Sequence, residues 1–385
     1  MTAESTAAVR PRNRKQLIVE AAGRAFTGRG YHAASMEEIA ASVGITAAAL
    51  YRHFPNKYAL FAECAYVMVD RLVAALDEVR PGAPLSDLLA AGTRVTVAHR
   101  ASGGLYRWEA RYLGREDRQA LRTKFGHVVE RVTGAVRREH PLPQEQLRAA
   151  AALGAIGSIT MHRTSIAPRR AEELLQAAAS RVVATDPTVG GGRRVQLPTQ
   201  PEPRTRRAEI LAAAVPLFER DGFANVTNGR IAEAVGVVPS AIYRYFPGKA
   251  DILAAACLQD AELFAQAVAQ NLRGVAEPRE AVAALAATYV GYNFERTALT
   301  SVASAEIVGL PVELRRPLVV AQREHIALWE QQLRAVRPEL DSRQARVLVH
   351  AGFGVVVEAG RRLRWRDAPE NRDVVAALLV GALGL

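Results

Sequence analysis

One stretch of this chain occurs twice. VGITAAALYRHFPNK at Val43–Lys57 returns as VGVVPSAIYRYFPGK at Val235–Lys249, an offset of 192 (235 − 43). The copies stay in register without a gap from Arg14–Cys64 to Arg206–Ala256, with about a third of positions identical. Phe26/Phe218, Gly30/Gly222, Ile39/Ile231, Gly44/Gly236, Tyr51/Tyr243, Phe54/Phe246 and Lys57/Lys249 are among the shared residues. A duplicated unit of this length constrains the chain to two like lobes. At 385 residues it is in any case too long for one compact core.

Within the first copy, Arg14–Thr27 reads as an amphipathic helix with Leu17, Ile18, Ala21, Ala22, Ala25 and Phe26 inward, ended by Gly28 and Gly30. Ser35-Met36-Glu37-Glu38 reads as a capping box that opens a second helix ending near Val43. Gly44 makes the turn, and Thr46 caps a short third helix through about His53. Leu50 and Phe54, one turn apart, face inward, which puts Ala47, Ala48, Tyr51 and Arg52 outside. Two helices joined by a Gly-containing turn set the second in a DNA major groove. The second copy departs in its middle helix, where Thr227-Asn228-Gly229-Arg230 replaces the Ser-x-x-Glu box. A Gly in that first turn costs about 1 kcal/mol relative to Ala.

The charge balance agrees with a polyanionic partner. The formal charge is +11, from 50 basic and 39 acidic residues. Basic arms precede both units: Arg10, Arg12, Arg14 and Lys15 before the first, and Arg204, Arg206 and Arg207 before the second. Other classes find little support. Cys64 and Cys257 are the only cysteines, so no disulfide framework or metal cluster is expected. The eight histidines show no His-Glu-x-x-His spacing, and the adjacent acid pairs sit at helix starts, where they favour the helix dipole. We therefore expect no catalysis, no metal and no cofactor. No apolar run reaches 18 residues and no export signal is visible, so a cytoplasmic protein without a membrane partner is expected.

Helical periodicity covers most of the chain, broken by DPTVGGGRRVQLPTQPEPRT at 186–205, whose Gly and Pro content reads as a linker. The halves end alike. Pro168 opens a helix with Leu174, Leu175, Ala178, Ala179, Val182 and Val183 on one face. Pro369 opens one with Val374, Val375, Leu378, Leu379, Ala382 and Leu383. Before each lies a helix rich in small residues, with Gly154 and Gly157 in one and Gly352, Gly354 and Gly360 in the other. Four such helices are expected to pack as a bundle joining the halves.

The pattern Gly44…Leu50-Tyr51-Arg52-His53-Phe54…Lys57 after Ile39-Ala40…Val43 resembles the TetR family of bacterial transcriptional regulators, and Gly236…Ile242-Tyr243-Arg244-Tyr245-Phe246…Lys249 repeats it. The resemblance covers about 50 residues in each half. It implies an all-α fold of two tandem lobes, each a helix-turn-helix domain followed by a helical regulatory and dimerisation domain. The boundaries expected are 1–64, 65–185, a linker at 186–205, 206–257 and 258–385. It places Tyr51/Tyr243 and Lys57/Lys249 on phosphates of a double-stranded operator, with His53/Tyr245 nearby. Positions 46–48 (Thr46, Ala47, Ala48) and 238–240 (Val238, Pro239, Ser240) then face base edges. Arg52 and Arg244 are candidates for guanine or phosphate. Arg14, Ser35, Arg206, Thr227, Asn228 and Arg230 complete the expected DNA-facing set.

In the regulatory domains the aromatic clusters Tyr106, Trp108, Tyr112 and Tyr289, Tyr292, Phe294 are expected to line an apolar pocket for a small lipophilic effector. Arg107, Arg111 and Asn293 would be its polar partners. The reading is a ligand-responsive repressor whose chain forms its own pseudo-dimer on an imperfect palindrome. The alternatives are a constitutive or architectural DNA-binding protein without an effector, and further pairing with a second chain.

Overall fold

The computed structural model describes residues 13–101, 112–188, 193–199 and 202–385. Among the described residues every regular element is a helix. The first lobe holds α1 (Arg14–Arg29), α2 (Met36–Ser42), α3 (Ala47–Tyr51), α4 (Lys57–Asp77), α5 (Leu85–Ala98), α6 (Arg115–Glu139), α7 (Glu145–Gly157) and α8 (Pro168–Ala184). The second holds α9 (Arg206–Asp221), α10 (Asn228–Ala234), α11 (Pro239–Ile242), α12 (Lys249–Leu272), α13 (Pro278–Glu295), α14 (Thr297–Glu306), α15 (Val312–Val336), α16 (Ser342–Arg362) and α17 (Pro369–Leu383). The repeat continues past the identical stretch. Helices α6 and α15 are both 25 residues long, at an offset of 197 (312 − 115). The boundaries expected at 64/65 and 257/258 fall inside α4 and α12, so each reading unit shares a continuous helix with the domain behind it.

Each reading unit has a small core of its own. Phe26, Leu50, Phe54 and Phe61 are buried in the first, and Phe218, Ile242 and Phe246 in the second. Leu17, expected inward, is 39% exposed, because α1 turns Ile18, Val19 and Ala22 to the core and leaves Leu17 on the flank.

The helical domains behind the two units do not have separate cores. One apolar cluster runs from Leu72 in α4 to Leu383 in α17, drawing on both lobes. Its centre is the crossing of α7 and α16, with α8 and α17 packed alongside as the bundle. Gly154 and Gly354 meet backbone to backbone there. A β-carbon on either would overlap the other's carbonyl, so the crossing requires two residues without one. Around it Val182, Val183, Leu378, Leu379 and Val355 are fully buried, each worth about 1.5–3 kcal/mol. Helix ends are tied across the lobes too. Arg181 of α8 donates to the carbonyls of Gly381 (3.2 Å) and Ala382 (2.9 Å) at the end of α17. Within the first lobe Arg148, fully buried, donates to the carbonyls of His140, Leu142, Pro143 and Val183.

The linker is not a free spacer over residues 193–199. Gln196 exchanges two backbone hydrogen bonds with the Asn271 side chain (both 2.9 Å), and Val195 and Leu197 lie over Gly291. One helix among the described residues, α12, is long and apolar enough to cross a membrane. Here it packs against α9, α13 and α15.

Candidate nucleic-acid interface

Both reading units are built by side-chain caps and a left-handed glycine. Ser35 accepts from the Glu38 N–H (3.1 Å) to open α2, and Thr46 accepts from the Ala49 N–H (3.2 Å) to open α3. Between them Gly44 sits at φ +69° with open space around it, as Gly236 does at φ +67° in the second unit. The expected capping box is only half made: the Glu38 carboxylate turns away from Ser35 to accept from Arg29 at 2.5 Å.

The second unit explains that choice. Thr227 caps α10, accepting from the Arg230 N–H (3.3 Å), and the Arg230 guanidinium donates to Asp221 at 2.7 Å. Positions 29/221 and 38/230 correspond at the offset of 192 (221 − 29; 230 − 38), so the same ion pair is present with its charges exchanged. Arg230 thus ties α9 to α10, and the apparent loss of the glutamate is half of a paired change. Sequence inspection missed this, although Arg29/Asp221 and Glu38/Arg230 differ together between the copies. Arg230→Glu alone should lower the urea midpoint, and adding Asp221→Arg should recover part of the loss, because the Arg220 contact to Asp221 is given up. A double variant no better than the single one would refute the pairing.

With Leu50 and Ile242 fully buried, the outer faces of α3 and α11 are set. Thr46, Ala48, Tyr51, Arg52 and His53 are exposed in the first unit, with Ala47 half-buried. Val238, Pro239, Ser240, Tyr243, Arg244 and Tyr245 are exposed in the second. Three aromatic rings stand in solvent on these faces, Tyr51, Tyr243 and Tyr245, where burial would ordinarily be worth more. Arg14 is half-buried at the start of α1. Arg206 is exposed and donates to Glu209 (2.6 Å) and to the Val235 carbonyl (2.9 Å). Asn228, half-buried in the first turn of α10, has its side-chain oxygen buried without a hydrogen bond. Arg10 and Arg12 lie outside the described residues.

The two lysines differ. Lys57 donates to the His32 carbonyl (3.0 Å) and lies over the Tyr31 ring. Lys249 donates to the carbonyls of Phe223 (2.7 Å), Ala224 (2.9 Å) and Val226 (3.1 Å), which takes up all three donors of an ammonium. Burial lowers the pKa of both. Each lysine therefore pins the loop between the first two helices of its unit, and only Lys57 keeps donors to spare.

The expected effector pocket has a different form. Tyr106, Trp108, Arg107 and Arg111 lie outside the described residues. Tyr112 stacks on Tyr31 (4.9 Å between ring centres) and donates to Glu306 of the second lobe at 2.7 Å, so it braces the first reading unit against that lobe. Tyr289 is stacked on Phe353 (4.4 Å), Tyr292 donates to Asp260 (2.8 Å), and Phe294 packs edge-on to Trp365. These rings fill the core instead of walling a cavity, because Phe264, His325 and Trp329 interdigitate with them.

Two helix-turn-helix units carried on one all-α body define a DNA-binding regulator. The family described as bacterial regulatory proteins, tetR family, matches residues 18–64 and again 210–256. Each lobe therefore carries one TetR-type DNA-binding domain, and the chain is similar to that family over these two stretches. It is 42% identical over 67 residues to the HTH-type transcriptional activator FasR of Mycolicibacterium smegmatis, a match spanning 17% of this chain and 30% of that protein. Solved structures similar to it include a TetR-family regulator from Bordetella parapertussis (TM-score 0.41, 22% identity, 46% of this chain and 94% of that one). FadR from Bacillus subtilis in complex with stearoyl-CoA is another (TM-score 0.39, 21% identity, 45% and 96%).

Proposed function

We propose that the chain is a ligand-responsive repressor that forms its own dimer and reads the two unlike halves of an imperfect palindrome. The observation that supports this most is the shared core at Gly154 and Gly354, which bears both reading units on one body. The outward residues support unlike half-sites. Thr46, Ala47 and Ala48 offer methyl groups suited to thymine, whereas Ser240 offers a hydroxyl beside Val238 and Pro239. Tyr51, Arg52, His53, Tyr243, Arg244 and Tyr245 flank them as phosphate or base contacts, with the arms at Arg14 and Arg206 behind. An effector releases the operator only if it binds one spacing of the reading units better than the other.

Selection of bound DNA from random oligonucleotides, with light scattering of the complex, tests this reading. One chain on about 20 base pairs with unlike halves is expected. Perfect palindromes, or two chains per site, would overturn it. Transcription from the selected operator in vitro then gives the sign of regulation, and an increase would make the chain an activator. Lys57→Ala should weaken all DNA sequences alike and lower the salt slope by about one, while Lys249→Ala should leave the slope unchanged. Equal slopes for the two variants would count against the donor accounting above.

A further inference from the structure

The lobes are also unequal at the junction between the first helix of each reading unit and the helices behind it. In the first lobe it is closed by a polar cross-tie. Arg71 of α4 donates to Glu20 of α1 (3.2 Å) and bonds His99, the C-cap of α5 (2.9 Å). In the second lobe the positions equivalent to Glu20 and Arg71 are Ala212 and Leu263, both at an offset of 192 (212 − 20; 263 − 71). The C-cap of α13, equivalent to His99, is Arg296. Two members of the tie have become apolar and the third is a permanent cation.

A cleft of about 230 Å³ opens there, lined by Leu211, Val215, Ala212, Leu263, Leu299 and Arg296, among others. The Arg296 side chain is 10% exposed, yet its Nε has no hydrogen-bond partner. Its Nη2 reaches the Pro198 carbonyl only at 3.4 Å, and the nearest carboxylate, Glu295, is at 3.9 Å. Asp260, also on the wall, is occupied by the Tyr292 hydroxyl (2.8 Å). A buried guanidinium whose Nε is left unmatched is costly unless an acceptor arrives. The α9 wall is altered as well. Pro216 stands where the first lobe has Arg24 (216 − 192), and a proline there supplies no N–H for the carbonyl of Ala212, another residue of the cleft wall.

We propose that this cleft is an effector site for a small aliphatic monocarboxylate, whose carboxylate pairs with Arg296 as Glu20 pairs with Arg71 in the first lobe. Its tail lies along Leu211, Val215, Leu263 and Leu299. At 230 Å³ the space is below the ~300 Å³ of drug-sized pockets, which suits about ten non-hydrogen atoms. An occupant wedges α9 away from α12–α14 and so moves the second reading unit, while the first stays cross-tied. That consequence rests on the regulator reading above; the binding itself does not.

The test is calorimetric titration of the full chain with octanoate, and with octan-1-ol as its neutral analogue. One octanoate per chain is expected, with octan-1-ol and Arg296→Met each about tenfold weaker. Ala212→Glu with Leu263→Arg, which rebuilds the first lobe's tie and keeps Arg296, should abolish binding without lowering Tm. Two equal sites per chain, equal affinity for octan-1-ol, unchanged binding in both variants, or no saturable binding at millimolar octanoate would each overturn the site. Operator affinity is measured separately. Octanoate that binds as expected without altering it would refute the regulatory coupling and leave the site standing.

Discussion

Replacing Gly354 with valine should lower stability by about 3 kcal/mol or more and abolish tight operator binding. The residue lies against the Gly154 carbonyl at the crossing of α7 and α16, and an added β-carbon meets backbone, not a side chain that can swing aside. Overpacking of a core against flexible neighbours costs about 1–3 kcal/mol, and here relief requires two helices to separate. Those helices belong to different lobes, so the damage spreads into how the reading units are held. Urea unfolding gives the first quantity and a mobility shift the second. Gly126→Ala is the matched control: Gly126 sits in α6 with open space around it, and there alanine should stabilise by up to about 1 kcal/mol. Wild-type stability and affinity in Gly354→Val would show that the lobes do not meet at this point.

Mild acid should destabilise the fold well before the carboxylates titrate. Three histidines are buried in the shared core or at its edge. His162 and His350 stack with ring centres 4.1 Å apart, and His325 accepts from the Trp329 indole at 2.9 Å. Burial pushes His350 and His325 down to about 4 and His162 down to about 2, from an ordinary value of 6.5, with the Arg346 charge adding to the effect on the stacked pair. The folded pKa values lie below the unfolded one, so between about pH 6.5 and 4 the unfolded chain takes up protons that the folded chain refuses. Stability is therefore complete above pH 7 and falls as pH drops through this window, by on the order of 5 kcal/mol for the three groups together. Equilibrium unfolding at pH 7.5 and 4.5 measures the loss, and His350→Phe should flatten the slope. A flat profile would mean that water reaches these rings.

Much of the framework was legible in the sequence because it depends on local rules. The repeat gave the lobes, the capping residues Ser35 and Thr46 marked helix starts, and inward Leu50 and Phe54 set the outer face of α3. Periodicity identified the apolar faces of α8 and α17, while the glycines of α7 and α16 indicated close packing. What periodicity does not encode is the partner a face meets. Hence the spacing of Tyr289, Tyr292 and Phe294 admitted the pocket expected of them, and only Phe264, His325, Trp329 and Phe353, some of them distant in sequence, decide for core. The carbonyl contacts of Lys249 were hidden for a similar reason, since they come from a loop 23 to 26 residues away. The docked linker was hidden because Asn271 and Gln196 carry no pattern that links them.

The covalent join has an evolutionary consequence. In a symmetric pair every mutation appears twice and must tolerate its own image across the axis. One gene that encodes both partners lifts that restriction, and this chain bears the marks: an ion pair inverted in one half only, and a cross-tie emptied in one half only. Such a molecule can acquire a second specificity without endangering the first, and on an asymmetric target it has a head and a tail.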